Sequence, residues 1–514
     1  LRLSELFKGT GIGAGISVDP EISGIAYDSR RVSPGFVFFA LPGTRSDGTT
    51  HAAEAVRSGA AAVVAEKAIE PSGASVLQTV DARLALALAA SNFYGRPART
   101  MKLVGITGTN GKTTTAYLVE SIAGGSGSTC GVIGTVEYRY AGKRFEATHT
   151  TPEAPELAAL LAEMRDHGIG MAVMEVSSHA LAMQRVEGLS FDVVAFSNLT
   201  RDHLDYHGTM EAYFASKARL FRPFPLDAKD TVAVINVDDQ YGRELAGGAR
   251  FDTVAVSGSA GGGADIFPLR SDISLDGITA ELSTPSGRVC VRSPLVGRHN
   301  LMNIVLAAGI AHGLGMSPKA IEAGIGSMPR VPGRLERVPN DAGITCLVDY
   351  AHTDDALRNV LTTLREIATG RIITVFGCGG DRDRGKRPLM GEAAATLSDL
   401  SVITSDNPRT EDATAIIADI LPGAELSGKP RIEAGRLAGA STGYAVIPDR
   451  REAVATAIRA ALPGDVVLIA GKGHEDYQII GTQKQHFDDR EEALRVLAAY
   501  AGGGVSRGDG ATEC

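Results

Sequence analysis

The chain reads as short apolar runs separated by turn signals and by longer stretches with helical spacing. In the first hundred residues, strand-like runs at 24–30, 35–40 and 60–66 alternate with turn residues, which predicts a small α/β domain. An apolar stretch at 84–93 has helix character and ends in Tyr94, Gly95, Arg96 and Pro97, so a first boundary falls near residue 98. From residue 101 to about 329 the order becomes strand, glycine-rich turn and helix, followed by buried-strand candidates at 171–176, 192–196 and 231–237. Such alternation predicts a mostly parallel sheet. The Gly/Ser run at 257–264 is expected to be a flexible turn between strands, and the cluster at 329–333 a second boundary. The last third carries strand candidates at 344–348, 372–376, 400–404 and 466–470, each followed at once by a polar motif. The expected organisation is an α/β protein with domains at 1–98, 99–331 and 332–501 and a disordered tail at 502–514.

Composition supports this division. At about 150 residues per domain, 514 residues predict three domains or four, which excludes a single core. The 44% hydrophobic and 22% charged content is that of ordinary globular chains. A net charge of -9, from 51 basic and 60 acidic residues, argues against general nucleic-acid binding, so any anion must be held in a local pocket. Cys130, Cys290, Cys346, Cys378 and Cys514 are scattered, without the spacing of a zinc ribbon or a disulfide framework, which fits a reducing cytoplasm. No apolar run approaches the ~18 residues needed to cross a bilayer, so no membrane insertion is expected. The first residue is Leu1, which suggests a trimmed start.

The chemistry concentrates in a few motifs. Residues 102–115 combine a strand, a glycine-rich turn and a helix start, an arrangement that holds phosphates on backbone N–H groups. In it Lys112 would reach the β- and γ-phosphates and Thr113 would offer a hydroxyl to Mg2+. It is a variant loop, with Ile106 where the general pattern has glycine and Gly108 serving instead. Glu175 ends an apolar run, where the acidic partner of a phosphate loop holds Mg2+, although a surface glutamate after a strand is common. His203 and His207, four apart, could share a helix face as a zinc pair or as a satisfied polar pair. In the last third, the motifs at 349–352, 377–387, 405–409 and 471–475 all follow strands, so they are expected to converge on one crevice. Four basic against two acidic residues in 379–387 favour an anion pocket there.

Six motifs in order resemble the Mur ligase family, ATP-dependent enzymes that build the peptidoglycan stem peptide: those at 107–114, 175–179, 202–205, 216–221, 349–352 and 471–475. The resemblance spans essentially the whole chain. It implies three domains: one for a uridine nucleotide, a central P-loop ATPase, and a C-terminal Rossmann-like domain for an incoming amino acid. It further implies that Gly108, Thr109, Asn110, Gly111, Lys112, Thr113 and Thr114 bind ATP, with Asn303, Arg334 and Asp349 contacting the nucleotide. Thr113 and Glu175 would hold one Mg2+ and His203 a second, with Lys217 as a carbamate (N6-carboxylysine) among the metal ligands. Lys112, Glu175, His203 and Lys217 form the implied catalytic set. Ser29, Thr150, Thr151, Ser177 and Arg185 resemble contacts to a UDP-N-acetylmuramoyl dipeptide. Met183 and Gln184 depart from the polar order common in relatives, and Asp354 stands where relatives commonly have proline.

The motif at 406–409 resembles the version of the family that selects meso-diaminopimelate. An arginine fork pairs bidentately with the extra carboxylate of that amino acid, which lysine lacks. Arg382, Asp406, Asn407, Pro408, Arg409, Gly471 and Glu475 would bind it, with Glu475 countering its ammonium. The implied reaction passes through an acyl phosphate on the glutamyl γ-carboxylate, in a monomer with only small-molecule partners. The rivals are a lysine-adding sister ligase, a folylpolyglutamate synthetase and, from another class, a P-loop nucleotide switch.

Overall fold

The computed structural model describes residues 1–502 except 13–15, 17, 44–46, 70–72, 224–225, 227–228, 249, 262 and 329. Pro329 of the expected second boundary, Gly262 of the Gly/Ser run, Cys514, and the expected tail from 503 onward lie outside the described residues. The chain divides into two compact units. The first comprises Leu1–Arg270, Ala280–Val291 and Leu301–Met328; the second comprises Ser271–Thr279, Arg292–Asn300 and the described residues of Pro329–Cys514.

The first unit contains two sheets. Strands β1 (Gly24–Ala26), β2 (Phe36–Ala40), β3 (Ala62–Ala65) and β4 (Ser75–Gln78) pair in parallel in that order. Apolar clusters cover them, one around Leu6, Phe39 and Leu86 and another around Phe38, Ala55 and Val63. Helix Ala82–Phe93 follows, and Asp81 caps it by accepting from the Leu84 N–H at 2.9 Å.

The larger sheet has β5 (Lys102–Thr107), β6 (Cys130–Ile133), β7 (Glu137–Tyr140), β8 (Lys143–Glu146), β9 (Met171–Glu175), β10 (Val193–Phe196), β11 (Val232–Asn236) and β12 (Asp252–Val256). Their order is β12-β11-β10-β5-β9-β6-β7-β8. All pairs are parallel except β6-β7 and β7-β8, an antiparallel edge of which the apolar pattern gave no sign. Apolar β5, β9 and β10 form the middle, as expected of strands covered on both faces. The Gly/Ser run is anchored at its start: Ser257 Oγ and Gly258 N both donate to the Asp238 carboxylate, at 2.6 and 2.8 Å.

Three further strands, β13 (Phe267–Ser274), β14 (Gly277–Thr284) and β15 (Gly287–Ser293), form a separate sheet. The second unit is built on β16 (Glu336–Val338), β17 (Thr345–Asp349), β18 (Ile372–Phe376), β19 (Leu400–Ile403), β20 (Gly443–Val446) and β21 (Val466–Ala470), in the order β16-β17-β21-β18-β19-β20. Only β16 runs antiparallel, and apolar clusters cover both faces of this sheet. A hairpin of β22 (Tyr477–Ile480) and β23 (Gln483–His486) follows. After β17, Thr353 caps helix Asp354–Ile367 by accepting from Ala356 N at 3.2 Å, so Asp354 simply occupies its first position.

Candidate active site

The phosphate-type turn leaves β5, which has parallel neighbours on both sides, and enters helix Lys112–Gly125. Gly108 and Gly111 hold φ of +142° and +88°. A Cβ on Gly108 would lie 1.9 Å from Ser197 Oγ, and one on Gly111 would lie 2.2 Å from Asn303 Oδ1, so only glycine lets these neighbours close in. The helix start has no side-chain cap, and its N-terminus is the positive end of the helix dipole, which suits an anion. Lys112 Nζ folds back on the carbonyls of Gly108 and Thr109, at 2.9 Å each. Asn110 N donates to Asn198 Oδ1 at 2.9 Å and Thr109 N to the Asn198 carbonyl at 2.8 Å, which ties the turn to the end of β10. Thr113 and Thr114 are buried at the helix start.

Lys217 is a buried lysine. It is 2% exposed at the end of helix Met210–Ala218, with Nζ donating to the Gly108 carbonyl at 2.8 Å and lying 4.6 Å from the Tyr213 ring centre. Burial, and then the neighbouring Lys112, hold its amine well below its ordinary pKa.

Glu175 ends β9 inside the protein, 1% exposed. Thr135, a residue that sequence reasoning missed, clamps both of its oxygens: Thr135 N donates to Oε1 and Thr135 Oγ1 to Oε2, each at 3.0 Å. Nothing marks a threonine forty positions upstream in the turn between β6 and β7. Thr150 Oγ1 lies 3.1 Å from Thr135 Oγ1. Thr151 is fully buried; its hydroxyl donates to the Glu175 carbonyl at 2.8 Å and accepts from Ser177 N at 3.0 Å, so its side chain works inside the fold. Ser177 caps the short helix Ser178–Ala182. Arg185 donates to the Thr151 carbonyl at 2.8 Å and pairs with Glu153 at 2.6 Å. Ser29 Oγ donates to Glu54 Oε2 at 2.8 Å.

His203 and His207 do not share a helix face as two helical residues. His203 is the cap of a four-residue helix, Leu204–His207, with a left-handed φ of +53°. The rings nonetheless gather around His179, at centre distances of 4.8 Å for His203 and 5.6 Å for His207. Burial pushes His179 down to about 4 and lowers His203 and His207 as well. Among the described residues, no group of three or more His, Cys, Asp or Glu side chains is arranged to hold a metal ion.

In the second unit the four polar strand ends do come together. Gly471 N donates to the Asp349 carbonyl at 3.0 Å, Gly380 N to the Asn407 carbonyl at 2.9 Å, and Asn407 Nδ2 to Glu475 Oε2 at 2.8 Å. Asp349 is buried and accepts from Leu335 N at 2.7 Å and Ala351 N at 2.8 Å; burial raises its pKa, and Arg334 works against that shift. Arg334 lies 4.9 Å from the Tyr350 ring centre. Asp406 and Asn407 are buried, and Gly471 holds a φ of +115° beside Asp406. Arg409 takes a left-handed φ of +53° and donates to the Gly380 carbonyl at 2.8 Å, while the Pro408 carbonyl faces Gly380. Burial, then Asp406, raises the Glu475 carboxyl.

The basic run at 379–387 is not the anion pocket its charge count suggested. Arg387 is fully buried against Glu411 and Asp419, at 2.7 and 2.9 Å, and Arg384 pairs with Asp419 at 2.9 Å. Lys386 donates to the His352 carbonyl at 2.8 Å. The acidic partners lie about thirty positions downstream, outside the counted segment. Arg382 remains exposed, donating to the Asp381 carbonyl at 3.0 Å. Sequence reasoning also missed Arg450, fully buried under the motif, which grips Asp489 with two bonds of 2.7 and 2.6 Å and donates to the Ala470 carbonyl at 2.9 Å.

A phosphate-type turn beside a buried lysine, with a separate Rossmann-like sheet carrying four polar strand ends, has its counterpart in one group of enzymes. Residues 106–311 match the Mur ligase middle domain, 333–473 the Mur ligase glutamate ligase domain and 21–94 the catalytic domain of the Mur ligase family, and the chain belongs to that family. Within it, the chain is 54% identical over 497 residues to the UDP-N-acetylmuramoyl-L-alanyl-D-glutamate--2,6-diaminopimelate ligase of Geobacter metallireducens, covering 95% of this chain and 96% of the relative. The protein of the same name from Geobacter sulfurreducens is 50% identical, covering 94% and 96%. A solved structure of a ligase of that name superposes with a TM-score of 0.70 at 34% identity, covering 98% of this chain and 99% of the other. MurF ligase from Thermotoga maritima in complex with ADP shares the fold, with a TM-score of 0.59 at 18% identity over 92% of this chain and 97% of the other.

Proposed function

We propose that this chain uses ATP to join the α-amine of meso-diaminopimelate to the glutamyl γ-carboxylate of UDP-N-acetylmuramoyl-L-alanyl-D-glutamate. The observation that carries this reading is the buried Lys217 amine, 2.8 Å from the Gly108 carbonyl of an uncapped phosphate-type turn. The γ-phosphoryl group passes from ATP to the γ-carboxylate. The amine then attacks the acyl carbon, the bond to the phosphate oxygen breaks, and phosphate leaves as the new amide loses a proton. Lys112 and the positive N-terminal end of helix Lys112–Gly125 stabilise the spreading phosphoryl charge, which is most of what a protein contributes to such a transfer. No protein nucleophile is needed.

The donors fit Mg2+. A hard cation of this kind takes one or two carboxylates and fills its remaining positions with water and phosphate oxygens, and the Glu175 carboxylate is held in one orientation by Thr135. Thr113 and Glu175 would hold one such ion, and His203 with carbamylated Lys217 a second. When bound, Mg2+ neutralises phosphate charge and polarises the transferring group. A bare Lys217 ammonium would repel it, whereas a neutral amine takes up CO2, loses a proton and becomes an anionic carbamate with oxygen donors. The low pKa of Lys217 favours that neutral amine.

This reading assigns Ser29, Thr150, Ser177 and Arg185 to the UDP-sugar peptide, with Thr151 as their internal support, and assigns Asp406–Arg409 and Glu475 to the amino acid. It takes domains at 1–98, 99–331 and 332–501, a monomer, and a cytoplasmic site where such precursors are made. Among the described residues, no helix is long and apolar enough to cross a membrane. The test is phosphate release with ATP, Mg2+ and the UDP-dipeptide, with meso-diaminopimelate, lysine or no amine, confirmed by product mass. Release with diaminopimelate alone supports the reading; preference for lysine removes the Arg409 argument, and turnover without UDP-dipeptide points to a nucleotide switch.

A further inference from the structure

Beneath the 405–409 motif lies a side chain that no role above absorbs. Lys472 is fully buried, although lysine seldom is. Its Nζ donates to Asn407 Oδ1 at 3.2 Å, stands 3.6 Å from Glu475 Oε2 and lies 5.6 Å from the Tyr477 ring centre. Ile479 N donates to the same Asn407 Oδ1 at 3.0 Å. With two donors on the amide oxygen, the Asn407 side chain has a single sensible orientation, in which Nδ2 meets Glu475 at 2.8 Å. An Asn amide turned the other way would set its NH2 against the Lys472 amine and the Ile479 N–H, donor against donor.

We propose that Lys472 is a positioning residue for the amino-acid pocket. It locks the Asn407 amide so that the pocket presents an N–H donor beside a carboxylate, the complement of a carboxylate and an ammonium on one carbon. The inference rests on the assignment of this pocket to the incoming amino acid. Lys472 acts through Asn407 and Glu475 and touches no substrate itself. Without Lys472 the Asn407 oxygen keeps only the Ile479 N–H, and Glu475 loses the cation 3.6 Å from its carboxylate, so the pair is held less firmly in the orientation that meets the substrate.

The experiment is steady-state kinetics of the full chain, varying meso-diaminopimelate, ATP and UDP-dipeptide in turn. Lys472→Met removes the donor while keeping the length and apolar stem. It is expected to raise KM for diaminopimelate about 10- to 100-fold, the scale of an unsatisfied buried partner, with kcat and the other two KM values within about threefold. Lys472→Gln keeps an N–H for Asn407 Oδ1, and its KM for diaminopimelate is expected within about fivefold of wild type. An unchanged KM in the Met variant, or an equal rise in all three KM values, overturns the proposal. If the Met variant does not fold, the Gln variant decides alone: a KM within about fivefold supports the proposal and a rise above about tenfold overturns it. Failure of the wild-type chain to use diaminopimelate would instead overturn the assignment of the pocket, a result visible before any variant is made.

Discussion

The phosphate-type turn and the polar cluster proposed to take the amino acid both sit at the carboxyl ends of parallel strands, but they are built from different material. In the first, main-chain atoms do most of the holding: two left-handed glycines, an uncapped helix start, and carbonyls that receive Lys112 and Lys217. In the second, side chains hold side chains: Arg450 on Asp489, Lys472 on Asn407 and Asn407 on Glu475. A phosphate has the same shape in every nucleotide, so a backbone cradle suffices for it. An amino acid must be told from its neighbours, and that needs directional groups whose orientation is fixed from behind. The first site therefore depends on shape at a few glycines, and the second on a chain of buried polar contacts.

The sharpest way to break this comparison is to change the shape of the turn. Gly108→Ala sets a Cβ 1.9 Å from Ser197 Oγ at a φ that alanine avoids, and about 10²–10³-fold of the phosphate-release rate should be lost. A wild-type rate would show that the cradle tolerates a side chain. Next comes Arg409→Lys, which keeps the charge and removes the fork; KM for meso-diaminopimelate should rise about 10- to 100-fold while KM for ATP stays put. An equal shift in both would mean that Arg409 supports the fold and does not read the substrate. Smaller again is Thr135→Val, which removes one of two donors to Glu175. The Mg2+ concentration for half-maximal rate should rise about tenfold, and Thr135→Ser should restore it.

The smallest effect concerns acid. His179 in the first region and His474 in the second are both pushed down to about 4, chiefly by burial. Each is neutral in the folded chain, whereas the unfolded chain takes up a proton near 6.5. Their stability contribution is complete above about 6.5 and is lost as pH falls toward about 4, at no more than about 1.4 kcal/mol per pH unit per ring. Denaturant titrations between these pH values should show the slope, and His474→Gln should flatten it; an unchanged slope would mean that this ring does not titrate with unfolding.

The same contrast explains what could be read from the chain alone. Strands β5, β9, β10, β17, β18, β19 and β21 announce themselves as continuous apolar runs, because both faces of a parallel sheet are covered. The turn at 107–114 is equally plain, since its work is done by residues next to one another. What stayed hidden depends on partners far apart: Thr135 with Glu175, Arg450 with Asp489, Arg387 with Glu411 and Asp419. A charge count over 379–387 could not see that Arg384, Lys386 and Arg387 were already spoken for. The antiparallel ribbon of β7 and β8 escaped for the opposite reason: β7 alternates charged residues with tyrosines and β8, at the edge, is exposed throughout, so neither carries an apolar run.

The order β17-β21-β18 has a consequence in time. Residues 466–470 lie between two strands that leave the ribosome about a hundred residues earlier, and β17 and β18 each make a parallel pair with this late arrival. Until residue 470 emerges, the middle of the sheet is missing, and apolar Leu347 and Val375 have edges with nothing to pair. A nascent chain stopped short of this point is a natural client for a chaperone, and refolding from denaturant should be slow and prone to aggregation, because the last strand to be made is the one the sheet is closed around.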